Sequence, residues 1–236
     1  MARPITFLLV IVAAAAAAAD SRGDRAAACP ATLANQLTSV GASTQLITVV
    51  AERSSSTRGT VRRWRRSAGC WYEAGPATTA WLGGRGVSEN RHEGDRTTPA
   101  GIFGFGRTMY GLAPNPGVGY PYRRVRCGDW WVEDAKSPYY NQFHRTPCGS
   151  RTPFKTVGGD LSKSPTAYRH FAVIGFNTNP VVPGLGSGIF LHVSTGRPTL
   201  GCVSLALPDL VATLRWLRPS SSPLIAIGTR AMLREY

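Results

Sequence analysis

The chain is 236 residues long and carries 27 Lys and Arg against 13 Asp and Glu, a formal net charge of +14 at pH 7. That length suits one domain with a proper core, and the charge attracts polyanions over a Debye length of about 8 Å. No segment beyond the N-terminal apolar run is long and apolar enough to cross a membrane, and no internal repeat divides the chain.

The start, MARPITFLLVIVAAAAAAADSRGD, places a basic Arg3 before an apolar run from Ile5 to Ala19 and small residues suited to cleavage, so residues 1–19 read as a secretory signal. Residues 20–43 are Ala-rich and polar and read as a loosely packed lead-in with a short helix around Ala31 to Leu37; the domain is expected over residues 44–230. Gln45 to Val50, Thr60 to Arg66, Trp71 to Glu73 and Phe171 to Phe176 read as strands, separated by Gly, Pro, Ser and Asn turns. The basic run Arg62-Arg63-Trp64-Arg65-Arg66 invites a nucleic-acid reading, but on a strand these residues alternate faces, and arginines on a solvated edge guard against aggregation. Thr98-Pro99-Ala100-Gly101 reads as a turn entering a strand. Tyr120, Tyr122, Trp130, Trp131, Tyr139, Tyr140 and Asn141 fall in a loop-rich section where aromatic faces would line a cleft for sugar or peptide, and Tyr140 and Asn141 are the candidate contacts there. Pro208-Asp209 followed by Leu210, Leu214 and Leu217 reads as an amphipathic helix stopped by Pro219. The fold class is therefore mainly β, a sandwich or barrel-like arrangement with one or two short helices.

The densest chemistry lies in GIFLHVSTGRPTLGCVSL, Gly188 to Leu205. His192 sits in Ile189-Phe190-Leu191-His192-Val193, apolar on both faces and so a buried strand that fixes the ring. Cys202 follows in the next loop. A thiol is only a few per cent thiolate at neutral pH, and an imidazole within reach would either remove its proton during attack or hold it beforehand as an ion pair. Gly201 lets the backbone approach a bound carbonyl, and the amides of Leu200, Gly201 and Cys202 are the candidate oxyanion donors. The helix near Pro208 begins too far from Cys202 for its macrodipole, which fades within one turn, to activate the thiol.

This segment resembles the active-site motif of the YkuD-type L,D-transpeptidases, cysteine enzymes of bacterial cell-wall peptidoglycan. Glu93-Gly94-Asp95-Arg96-Thr97-Thr98-Pro99-Ala100-Gly101-Ile102-Phe103 is similar to the family's Gly-Asp, Thr-Pro-x-Gly segment, and Trp131-Val132-Glu133-Asp134 through Tyr139-Tyr140-Asn141 to a segment of actinobacterial members; the likeness spans Gln45 to Ile227. Two features depart from the family pattern. Thr199-Leu200-Gly201-Cys202 lacks the histidine that commonly precedes Gly-Cys, leaving His192 as the one base, and Ser204 stands where Arg or Asn is frequent. The resemblance implies mixed sheets with the cysteine at one rim and an exported enzyme of the cell wall. Its Cys202 would attack the peptide bond before a terminal D-Ala of a stem tetrapeptide, and an amine of a second stem would resolve the thioester into a 3-3 crosslink. Water as acceptor would make it an L,D-carboxypeptidase, and a chain that kept the fold without activity would be a wall-binding protein. Thr199 and Arg197 are the candidate substrate contacts beside the nucleophile, Arg197 for a carboxylate. The orienting partner of His192 would be a backbone carbonyl or Ser194. The implied partners are peptidoglycan stem peptides and anionic wall polymers, with no nucleic acid and no stable protein partner. No cofactor is required.

Five cysteines in an exported chain leave one unpaired if the rest form bridges, and Cys202 is the natural odd one. Cys29, Cys70, Cys127 and Cys148 allow three pairings; Cys29 with Cys70 and Cys127 with Cys148 are favoured because both close modest loops. His92, His144, His170 and His192 are scattered, and His92-Glu93 lacks a second histidine at zincin spacing, so no metal site is expected.

Overall fold

The computed structural model describes Met1, Ala2 and residues 28–236; the expected signal over 1–19 and the first part of the lead-in lie outside the described residues. In chain order, β1 (Gln45–Ala51), β2 (Arg58–Ser67), β3 (Cys70–Glu73) and β4 (Thr78–Trp81) form the N-terminal part, and the short β5 (Val87–Ser88) and β6 (Thr98–Pro99) pair with each other. After them come the long β7 (Gly101–Gly111), then β8 (Tyr122–Arg124), β9 (Asp129–Trp131) and β10 (Phe143–Arg145). The C-terminal part holds β11 (Phe171–Ile174), β12 (Phe190–Val193), β13 (Val203–Leu205), α1 (Leu207–Trp216), β14 (Leu224–Thr229) and α2 (Arg230–Leu233).

Eight of these strands close a ring, β1-β14-β7-β11-β12-β13-β4-β2 and back to β1, because β1 pairs with both β14 and β2. Closure removes the open strand edges that would otherwise template aggregation. The β1–β14 and β12–β13 pairs are parallel, and the other pairs of the ring are antiparallel. The mainly β, barrel-like class read from the sequence is the fold observed.

The two-residue period of a strand sorts side chains to the two faces of this wall. Inward go Ile47, Val49, Met109, Ala172, Leu191, Val193, Val203, Leu205, Ile225 and Ile227, all at most 5% exposed, and Leu210, Leu214 and Leu217 from α1 and the residue after it pack against them. Burying a Leu, Ile or Val contributes about 1.5–3 kcal/mol each, so this interior dominates the stability. Outward from β7, β11 and β12 go Tyr110, Phe171, Val173 and Phe190, and these too are buried. The loop-rich segment between β7 and β11 roofs them with Val125, Trp131, Leu161, Tyr168 and Phe143. Cys127–Cys148 staples that roof, and Arg145 pairs with the fully buried Asp129, its Nε donating to Oδ1 at 2.5 Å and Nη2 to Oδ2 at 2.8 Å.

The lead-in departs from expectation. Leu33, Ala34, Leu37 and Val40 pack with Leu46, Trp64, Trp71, Ala226 and Leu233 in a third apolar cluster, and Cys29–Cys70 ties the segment to β3. The expected helix shrinks to one 3-10 turn at Ala34–Gln36. At the other end Thr38 and Ser39 donate backbone hydrogen bonds to the Tyr236 carbonyl, at 2.9 and 2.5 Å. The packed unit thus runs beyond the 44–230 expectation at both ends, because spaced apolar residues in an Ala-rich segment cover the outer face of β1, β2 and β14. Side chains alternate along β2 as read, with Arg62 meeting Glu73 and Arg66 over Trp71 while Arg63 faces Trp216 on the opposite side; the expected solvated edge is not there, because β2 pairs with β1, β3 and β4.

The Cys127–Cys148 bridge closes a loop with a sequence separation of 21, for which chain entropy gives about 3 kcal/mol. Replacing both cysteines by Ala is expected to lower the unfolding free energy by about that amount in urea titration. A change below about 0.5 kcal/mol would show that the roof is held by its apolar contacts alone.

Candidate active site

Cys202 precedes β13 and shares the outward face with Ser204. Across the parallel ladder Leu191 pairs with Val203 and His192 with Ser204, so Phe190 and His192 face the same way and Cys202 is the diagonal neighbour of His192. The sequence pairing of a cysteine with a histidine on an apolar strand therefore lands on one side of one sheet, beneath the aromatic roof. Cys202 as a residue is partly exposed, but its sulfur is desolvated; the thiol donates to the Gly188 carbonyl at 3.3 Å and accepts from the Phe190 amide at 3.4 Å. Trp131 stands edge-on to Phe190, and Tyr168 stands edge-on to His192 with ring centres 6.0 Å apart.

His192 is 7% exposed and its Nδ1 lies 2.8 Å from the Val193 carbonyl. A carbonyl only accepts, so Nδ1 carries the hydrogen and Nε2 is left as the basic nitrogen. The orienting group is thus a backbone carbonyl, one of the two options the sequence leaves, and Ser194 takes no part. His192 and Cys202 are not hydrogen-bonded to each other.

Burial governs the charge state of both groups. It pulls His192 down to about 4, against a smaller upward effect of the Val193 hydrogen bond. Burial pushes the Cys202 thiol up to about 12; the Phe190 amide and Arg91 act to lower it, and the Glu133 charge raises it further. At neutral pH the resting pair is therefore thiol and neutral imidazole. This is not a preformed ion pair; were the thiol to attack, the imidazole would have to remove its proton during that attack.

The turn before the cysteine is pinned from several sides. Thr199 Oγ1 donates to the Cys202 carbonyl at 2.7 Å and accepts from the Gly201 amide at 3.1 Å, and Thr98 Oγ1 donates to the same Cys202 carbonyl at 3.3 Å while accepting from the Gly83 amide at 2.7 Å. Thr199 also bridges to β4 and the residues after it, its amide to Leu82 O and its carbonyl to the Gly84 amide. Gly201 has φ +140°, and a Cβ there would stand 2.5 Å from Arg91 Nη1 and 2.8 Å from Thr97 O. Only glycine fits that position. Two expectations change as a result. Gly201's amide is bound within the turn, so only the Leu200 and Cys202 amides are left free of the three expected donors, and the Thr199 hydroxyl, expected as a substrate contact, is engaged in shaping the turn. Leu200 is 74% exposed at the tip, and Arg197 is exposed with no hydrogen-bond partner.

Tyr140 and Asn141, expected as cleft contacts, are only 2% and 3% exposed. Tyr140 Oη donates to Glu93 and accepts from the Gly186 amide at 3.1 Å. Asn141, at φ +56°, accepts from Trp131 Nε1 at 2.8 Å and the Gly188 amide at 3.0 Å, and donates to the Phe176 and Asn177 carbonyls. Both residues are saturated, and together they fix the Gly186–Gly188 turn whose last carbonyl holds the thiol. They position the Cys202 thiol through backbone.

Sequence reasoning passed over one buried and two half-buried charges behind this turn. Arg91 is 4% exposed and donates through Nη1 to Thr97 O and Asp95, with the Asp95 contact at 3.3 Å. Glu93 accepts from Ser187 Oγ at 2.7 Å as well as from Tyr140. Glu133 follows β9 and sits close enough to Cys202 to raise its pKa. All three lie in or beside segments already singled out, but polar neighbours (Asn90 and His92 around Arg91, Asp134 after Glu133) give them the look of solvated charges. Among the described residues, no three His, Cys, Asp or Glu side chains gather as metal ligands would.

No protein-family model, curated protein or solved structure matches this chain. The chemistry of the site is therefore read from its own geometry.

Two measurements test this description. Because a thiol titrating near 12 gains thiolate about tenfold per pH unit below that point, iodoacetamide labelling of Cys202 should climb about tenfold per unit from pH 6 to pH 9; a plateau near neutrality would show a preformed ion pair. Gly201→Ala should lower the melting temperature and slow labelling at fixed pH, since the new Cβ displaces Arg91 or the turn; unchanged values in both would remove Gly201 from the site.

Proposed function

We propose that the chain is an exported cysteine acyltransferase of the YkuD L,D-transpeptidase type acting on peptidoglycan stem peptides. The observation that carries this reading is the thiol of a partly exposed cysteine on the same face as a tautomer-fixed histidine, beside a glycine turn with two uncommitted amides. The thiol turns from the Gly188 carbonyl to His192 Nε2, which takes its proton as sulfur attacks the carbonyl before a terminal D-Ala. The Leu200 and Cys202 amides hold the oxyanion. As the C–N bond breaks, the same nitrogen returns the proton to the departing D-Ala amine, leaving a thioester on Cys202. A second amine then forms the new amide and releases the thiol. The positive surface would hold the enzyme near anionic wall polymers, with no role for nucleic acid.

Intact-mass measurement after incubation with a tetrapeptide stem, and separately with a carbapenem, tests the reading. The wild type should gain the acyl mass, Cys202→Ala should gain none, and His192→Gln should acylate more slowly by about 100-fold or more. Folded wild type with a free Cys202 and no adduct from either compound would overturn it in favour of a wall-binding role.

A further inference from the structure

Glu133 has no part in the half-reaction above, yet its carboxylate borders the nucleophile. Oε1 lies 3.0 Å from where a Cβ on Gly188 would stand, and Gly188 supplies the carbonyl that holds the Cys202 thiol at 3.3 Å. Carboxylate and sulfur thus flank one peptide unit. Gly158, at φ +78°, borders the carboxylate from the roof, where any side chain would collide with it.

The Glu133 carboxylate accepts no hydrogen bond from the described residues, although its side chain is only partly exposed. Its neighbour Glu93 is satisfied by Tyr140 and Ser187. The charged and titratable groups that face Glu133 are Glu93, Arg91, Cys202 and Tyr168. Arg91 is committed to Thr97 and Asp95, and its buried Nε, packed against Gly186 of the same turn, has no partner. An unpartnered carboxylate in a partly dry cleft is costly until a donor or cation fills it. Burial, then the Glu93 charge, offset in part by Arg91, raises the carboxyl to about 7, within the range of a working base.

We propose that Glu133 is a catalytic residue of the second half-reaction, receiving the primary ammonium group of the acceptor and taking one proton from it so that a free amine faces the Cys202 thioester. This rests on the reading of Cys202 as the acylated nucleophile and commits the site to a cationic amine over water. Either acceptor would be served by a lone base; what Glu133 and Glu93 add together is negative potential, which concentrates a cation. The step balances: the ammonium yields a proton to the Glu133 carboxylate, the amine nitrogen bonds to the acyl carbon, and the C–S bond breaks. The second nitrogen proton passes to the leaving sulfur through His192 Nε2. Glu133 then loses its proton to solvent as product leaves.

The full chain is acylated with a tetrapeptide stem, and decay of the adduct is followed by intact mass with Nα-acetyl-lysine amide, whose side chain is an ammonium, or with hydroxylamine, a neutral nucleophile at pH 7.5. In Glu133→Gln the adduct should still form, its decay with the lysine amide should slow by about 100-fold, and its decay with hydroxylamine should change less than about 3-fold. Glu133→Asp should recover part of the loss, and Glu133→Ala serves in place of Glu133→Gln if that variant misfolds. Equal slowing with both nucleophiles, or none with the lysine amide, would overturn the proposal while leaving Cys202 as the nucleophile. Failure of wild type to form any adduct would overturn both.

Discussion

The alternation of side chains along β12 and β13 is the constraint on which the site depends. Within four residues β12 sends Leu191 and Val193 into the barrel and Phe190 and His192 out of it, while β13 sends Val203 and Leu205 in and Cys202 and Ser204 out. A slip of one residue between the two would put the thiol in the barrel core and a valine beside the imidazole. The inner leucines and valines, by having nowhere else to go, fix the register that aligns the reacting groups.

A second layer of control comes through backbone. The Gly186–Gly188 turn is held by Tyr140, Asn141 and, through Ser187, Glu93, while the Thr199–Cys202 turn is held by Thr98, Thr199 and Arg91. Both turns use glycines at positive φ, at Gly188 and Gly201, so that side chains from a distant loop press directly on main chain. The segment between β7 and β11 moulds the first turn through Tyr140 and Asn141, and the stretch from β5 to β6 moulds the second through Arg91 and Thr98.

Much of this was legible in the sequence where local physics decides. The apolar runs at Gln45, Phe171 and Ile189 gave their strands, Pro208 opened the helix, and the cysteines paired as their loop lengths favoured. At β7 only the entry at Gly101 was legible, because glycines at 104, 106 and 111 lower strand propensity along its length; at two of them partners come close, Val173 against Gly106 and the Tyr122 hydroxyl and Arg169 backbone against Gly111. It failed again at Tyr140 and Asn141, since an aromatic and an amide in a loop look the same in sequence whether they face solvent or bury a hydrogen-bond network. The charges of Arg91 and Glu133 were hidden for a related reason: charged residues are ordinarily solvated, and only the fold reveals that these two are not.

The high pKa of Cys202 carries a consequence for how the protein matures. Thiol–disulfide exchange proceeds through thiolate, and so does the first step of oxidation to sulfenic acid. While Cys29, Cys70, Cys127 and Cys148 find their partners, a folded Cys202 held as neutral thiol by its surroundings reacts slowly with disulfides and peroxides. The same burial that holds the thiol protonated keeps the fifth sulfur out of scrambled bridges. Resistance to mispairing and idleness at rest are two results of one desolvated sulfur.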